Sequence, residues 1–171
     1  MDPESGRLTH LETVSTVPND FADVSHCAEI AMHPSGRWLF VTNRALPETG
    51  CCSVAVCAVV SARSTLPTEI ALMGAYRLHL TLWCCHQNEA GRVSLSDIAI
   101  IDDVPPGFSP QHIALDSSGQ HFYVGDGMSL LQFFVDVNHG RLVRVNTYPC
   151  RGSDGDQVGG IRIIDLAGAQ L

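Results

Sequence analysis

Two stretches of this chain can be laid over one another at a constant spacing, and that constrains the fold more than any single motif. Ala28-Glu29-Ile30-Ala31-Met32-His33-Pro34-Ser35-Gly36-Arg37-Trp38-Leu39-Phe40-Val41 aligns with Gln111-His112-Ile113-Ala114-Leu115-Asp116-Ser117-Ser118-Gly119-Gln120-His121-Phe122-Tyr123-Val124 at an offset of 83. Ile, Ala, Ser, Gly and Val are identical at five positions, and large apolar residues match at several more. Each copy reads as a short strand, a Ser-Gly hairpin turn and a second strand rich in aromatic and β-branched residues. The turn glycine has a physical task, since a residue there must take φ > 0.

A second element recurs as Gly6-Arg7-Leu8, Gly91-Arg92-Val93 and Gly140-Arg141-Leu142, each after a two-residue lead-in suited to a turn. The last two glycines are 49 residues apart, near the length of one four-stranded propeller blade. Gly36 to Gly91 spans 55 residues whereas Gly119 to Gly140 spans 21. The first interval therefore carries an insertion, placed at about residues 61–87 and expected to be an expanded loop between blades. Within it Leu-His-Leu-Thr-Leu-Trp alternates like a strand, while Pro-Thr-Glu-Ile-Ala-Leu-Met fits a helical turn. The fold class that follows is all-β: a partial β-propeller of about three four-stranded blades with a loop insertion, residues 1–171 forming one partial propeller domain. Propellers close with typically four to eight blades, so self-association, or pairing with another chain, is expected to complete the ring.

Composition narrows the functions. The chain has 45% hydrophobic and 16% charged residues, a globular balance, and a net charge of −8. That acidity disfavours a general nucleic-acid binder. The most apolar run, Leu66 to Cys85, is interrupted by Glu69, Arg77 and His79, and one charge at the bilayer centre costs roughly 2.5–3.5 kcal/mol, so no membrane span is expected. Met1-Asp2-Pro3-Glu4-Ser5 is polar and acidic, unlike the start of a signal peptide. Seven cysteines, without a zinc-type C-x-x-C pair, read as reduced core thiols of a cytoplasmic protein. No metal and no cofactor is expected: His26, Glu29 and His33 lack the i, i+4 spacing of a helical zinc site, and Asp154-Gly155-Asp156 lacks the further acidic ligand of a calcium loop.

Asp20-Phe21-Ala22-Asp23, then Ala28-Glu29-Ile30, then Pro34-Ser35-Gly36-Arg37-Trp38-Leu39-Phe40-Val41-Thr42-Asn43-Arg44, resembles the lactonase family of seven-bladed propellers, which includes the bacterial-type 6-phosphogluconolactonases and the fungal carboxy-muconate lactonizing enzyme. Ser109-Pro110-Gln111-His112-Ile113-Ala114-Leu115-Asp116, on through Phe133-Phe134-Val135-Asp136 to Gly140-Arg141-Leu142, continues the pattern. The resemblance covers roughly residues 1–60 and 88–148. It implies a hydrolase that opens a small anionic lactone, such as the sugar-phosphate lactone of the pentose phosphate pathway, or a related cycloisomerase.

The family's cleft glutamate and arginine map onto Glu29 and Arg44. Lactone opening needs a base to activate water and a positive donor for the developing oxyanion, and arginine binds anionic groups bidentately. Each residue also has a plainer reading: Glu29 as a strand-start carboxylate accepting backbone bonds, Arg44 as a strand-end cap in solvent. His26 and His112 are candidate substrate donors or structural histidines, with His112 in the repeat position of Glu29. His33, before a proline in a turn, is expected to be exposed. Gln111 is a candidate substrate contact that stands where the family commonly has arginine, keeping hydrogen bonding but not charge. The competing function is a non-catalytic propeller fragment acting as an interaction scaffold, and a more distant one is a redox or metal role for the cysteines.

Overall fold

The computed structural model describes residues 9–22, 24–45, 52–60, 70–76, 79–84, 92–102, 108–126 and 129–150. Gly6-Arg7-Leu8, Asp23, Cys51, Cys85, Gly91 and the Asp154-Gly155-Asp156 turn lie outside these residues. The described part is all-β. No helix long and apolar enough to cross a membrane occurs among the described residues.

The first repeat forms β2 (Ser25–Met32) and β3 (Trp38–Ala45); an apolar run continues as β4 (Cys52–Val60), and β7 (Arg92–Ile101) closes a four-stranded antiparallel sheet in the order β2-β3-β4-β7. The second repeat forms β8 (His112–Leu115) and β9 (His121–Gly125), followed by β10 (Ser129–Asp136) and β11 (Arg141–Pro149), an uninterrupted antiparallel meander. The anticipated turn glycines take left-handed backbone: Gly36 at φ 67° and Gly119 at φ 72°. Each amide closes its turn onto the residue three positions back, His33 O at 2.8 Å and Asp116 O at 3.0 Å.

The insertion is not a loop throughout. It contains β5 (Ile70–Tyr76) and β6 (His79–Cys84), which pair with each other and, through β6, with β1 (Thr9–Ser15) in a three-stranded sheet. It also leaves and rejoins a single sheet, between β4 and β7, instead of linking two sheets. The helical reading of Ile70-Ala71-Leu72-Met73 gives way because so short a run cannot repay helix nucleation, whereas a hairpin beside β1 supplies backbone partners at once.

Why β3 and β4 read as unbroken apolar runs becomes clear from their burial. Leu39, Phe40 and Val41, like Val54, Ala55, Val56 and Cys57, are buried residue after residue. Strand side chains alternate between faces, so this sheet is covered on both. One face joins Phe40, Val54, Val56 and Ile101 to Phe122, Val124, Leu131 and Phe133 of the next sheet, with the Phe40 and Phe122 rings 4.8 Å apart. The other gathers Cys27, Leu39, Val41, Ala55, Cys57 and Val93 with Val14 of β1. Burying each large side chain contributes about 1.5–3 kcal/mol. The stacking keeps strand rank: β2 lies beside β8, and β7 beside β11.

Two polar contacts lock the stack. Trp38 Nε1 donates to Val137 O at 2.8 Å. His33 is buried at 6% exposure, against the expectation of an exposed turn residue. Its Nδ1 accepts from Ser35 N at 3.0 Å, which leaves Nε2 to donate to Gly119 O at 3.0 Å. The ring thus joins the turn of one repeat to the turn of the other, and that contact is what excludes it from water.

Candidate functional site

Two of the candidate residues, Glu29 and His112, meet where β2 faces β8. Strand alternation alone would set His26 and Glu29, three apart, on opposite faces. The β2–β3 register changes this: His26 is opposite Arg44 and Cys27 opposite Asn43, but Ile30 is opposite Val41. Ala28 and Glu29 therefore share Thr42 as their single partner, a β-bulge. Such a bulge shifts the parity of the strand by one residue and re-aims the side chains beyond it. Glu29 comes onto the face of His26, Arg44 and Thr42, the side that carries Phe40 against the next sheet.

Thr42 fills the bulge. Its hydroxyl accepts from Glu29 N at 3.0 Å and donates to Glu29 O at 3.4 Å. Arg44 lies two residues along the same strand and face, about 7 Å away in strand rise. Its neighbour Asn43 is buried and fixed by Thr16 Oγ1 at 2.8 Å, Thr16 O at 3.0 Å and Ser53 Oγ at 3.1 Å. The base of Arg44 is thereby held while its Nε is buried with no hydrogen-bond partner, and no ion pair joins its guanidinium to any described carboxylate.

Glu29 reaches across the gap between sheets. Its Oε2 accepts the Ile113 amide at 2.6 Å. His112 Nδ1 stands 3.8 Å from the same oxygen, an ion-pair separation when the ring is protonated, and the two side chains are 39% and 43% exposed for His112 and Glu29 respectively. So the repeat-related pair Glu29 and His112 comes together in space. The backbone-accepting reading of Glu29 holds for Oε2; Oε1 makes no hydrogen bond to another described residue. Gln111 is not drawn into this group. Its amide donates to Gly125 O at 3.0 Å and its side chain is exposed. His26 is half-buried opposite Arg44.

Thr42 and the Ile113 amide were not among the candidates from sequence. The clue to Thr42 was the three-residue spacing of His26 and Glu29, which no regular strand can place on one face. Among the described residues no group of three or more His, Cys, Asp or Glu side chains assembles as metal ligands.

The cysteine environments differ from a reactive site. Burial pushes the Cys57 thiol up to about 12, with Cys27 nearby adding to the effect. Burial likewise raises Cys27, against a hydrogen bond from Thr16.

Comparison with known proteins agrees with the resemblance over part of the chain. The family model described as lactonase, 7-bladed beta-propeller, matches residues 1–76, a span that includes Glu29, Thr42 and Arg44 but not Gln111 or His112. No curated protein and no solved structure matches the chain significantly.

Proposed function

We propose that this chain, whose first 76 residues match the lactonase propeller family, opens a small anionic lactone by water attack. The observation that carries the reading is the β2 bulge, which sets Glu29, His26 and Arg44 on one face, with a half-exposed carboxylate on the same face as an arginine that pairs with no described carboxylate. In the reaction, Glu29 Oε1 takes a proton from water as the water oxygen bonds to the lactone carbonyl carbon. The carbonyl π pair moves to oxygen and forms an oxyanion. Collapse re-forms the carbonyl and breaks the bond to the ring oxygen, which takes the proton back from Glu29 to give the hydroxy acid. Arg44 binds the substrate's anionic group or the oxyanion, and His26 and His112 donate hydrogen bonds from either side. The chemistry draws on side chains alone. A sugar-phosphate lactone such as 6-phosphogluconolactone suits the arginine.

The test follows acid release from freshly generated 6-phosphogluconolactone with the wild type and Glu29→Gln. A wild-type rate above the spontaneous one, lost in the variant, supports the reading; equal rates at the spontaneous level sink it.

A scaffold role is the second reading, favoured by one observation. The outward face of the β8–β11 sheet exposes Phe134, Val143, Val145 and Tyr148. The offset of 83 places its Tyr123 on the same face as Phe40 in the preceding sheet, where Phe40 is packed against a neighbouring sheet. Another sheet, from a second copy of the chain, fits this face and completes more of a ring. Solution mass distinguishes the outcomes: a discrete dimer supports self-association, and a monodisperse monomer counts against it. Among the described residues Cys27, Cys52, Cys57 and Cys150 are in no disulfide, which suits a cytoplasmic location.

A further inference from the structure

We propose that Thr42 is the positioning residue of this site: its hydroxyl fixes the bulge that turns Glu29 toward the next sheet. The inference rests on the hydrolase reading for its kinetic consequence, but its structural consequence stands apart from that reading.

Thr42 is fully buried, and its hydroxyl bonds both the amide and the carbonyl of Glu29. Both groups lie within the register shift between Cys27 and Ile30. A hydroxyl that both accepts and donates satisfies them with one atom. In the second repeat Gly125 occupies the place of Thr42 at the offset of 83, His112 is its ladder partner, and the Gln111 amide also reaches Gly125 O at 3.0 Å. A side-chain hydroxyl bonded to the backbone at this point is therefore peculiar to the first repeat, the one that carries the glutamate.

The geometry also explains why the effect is large. A regular β2 would carry Glu29 to the opposite face, away from Arg44, Ile113 N and His112. The hydroxyl therefore acts through the backbone of Glu29, holding the bulged register in which the carboxylate faces the next sheet.

The experiment uses the full chain with Thr42→Val, which keeps the shape and removes the hydroxyl, and Thr42→Ser, which restores it. Two quantities are read: amide hydrogen exchange at Ile113, which reports the Glu29 bond directly, and hydrolysis of freshly generated 6-phosphogluconolactone. In Thr42→Val, Ile113 is expected to exchange about tenfold faster, as for the loss of one hydrogen bond to a charged acceptor. The rate constant kcat is expected to fall roughly tenfold to a hundredfold, as for a base displaced by about an ångström or more, with KM changing far less. Thr42→Ser is expected to restore both. If Thr42→Val does not fold, Thr42→Ala against Thr42→Ser gives the same comparison. Unchanged Ile113 exchange in the variant lacking the hydroxyl overturns the proposal, as does failure of serine to restore it. If the wild type hydrolyses the lactone no faster than buffer, the hydrolase reading falls, and Ile113 exchange alone then decides the role of Thr42.

Discussion

Replacing Gly140 by alanine is expected to destabilise the chain by about 2–5 kcal/mol, and the structure says where the cost arises. Gly140 sits at φ 64° in the turn between β10 and β11. An alanine held in that region costs about 1–2 kcal/mol, partly offset by about 0.4–1 kcal/mol from a less flexible unfolded chain. The larger share is steric. A Cβ there would stand 2.2 Å from Cζ3, 2.3 Å from Cη2 and 2.7 Å from Cε3 of Trp38. The indole is a rigid plane, only 7% exposed, and it belongs to the adjacent sheet. Moving it aside strains the packing, at about 1–3 kcal/mol, and pulls Nε1 from Val137 O, at about 0.5–1.5 kcal/mol. The assay is urea unfolding followed by circular dichroism, with Gly140→Ala made in the wild type and in Trp38→Leu. The Trp38→Leu background removes the clash but keeps the backbone term, so the two substitutions should show a coupling of about 1–3 kcal/mol. Additive effects, with Gly140→Ala costing the same in both backgrounds, would refute the claim that the two sheets interlock through this indole.

Other outcomes follow from the site and its surroundings. Arg44→Gln should raise KM for an anionic lactone roughly tenfold to a hundredfold by removing a charged donor, measured by initial rates, and should leave the urea midpoint nearly unmoved because Arg44 pairs with no described carboxylate. In native protein, mass-mapped alkylation should label Cys150 well before Cys27 and Cys57, whose thiols are buried and raised; equal labelling would show that the sheet between them opens freely. Acid should weaken the fold through two turn carboxylates. At Asp116 burial acts upward, but hydrogen bonds from Ser118 and from the His121 amide and ring outweigh it, and at Asp136 the His139 ring leads in lowering the carboxyl. Both titrate lower folded than unfolded, so their contribution is present above the ordinary carboxylate value near 4 and is lost as pH falls through the folded values. Urea midpoints at about pH 7 and pH 3 should differ less in Asp116→Asn than in the wild type.

How much of this was legible in the sequence depended on the range of the cause. The repeat was readable because turn glycine and strand pattern act within a few residues, and both copies folded as strand, turn, strand. Glu29 and Arg44 were chosen as candidates through residues that resemble a family, and their shared face is visible in the register. The bulge was not readable from composition, since a slip of one residue leaves hydrophobicity unchanged, and the three-residue spacing of His26 and Glu29 was the one hint of it. His33 was misjudged for a different reason: what buries it is a carbonyl 86 positions away, on a turn that local pattern cannot bring near. The β5–β6 hairpin was ambiguous because six alternating residues cannot choose their own partner, and the choice was made by β1.

One oxygen of Glu29 stitches the edge of β8 to the sheet before it. If Glu29 is the base of the proposed hydrolysis, loading a proton onto its carboxylate during turnover would slacken that stitch, so each reaction cycle would tug on the seam between neighbouring sheets. Glutamine at this place would keep the seam sewn but silence the chemistry, and leucine would undo both.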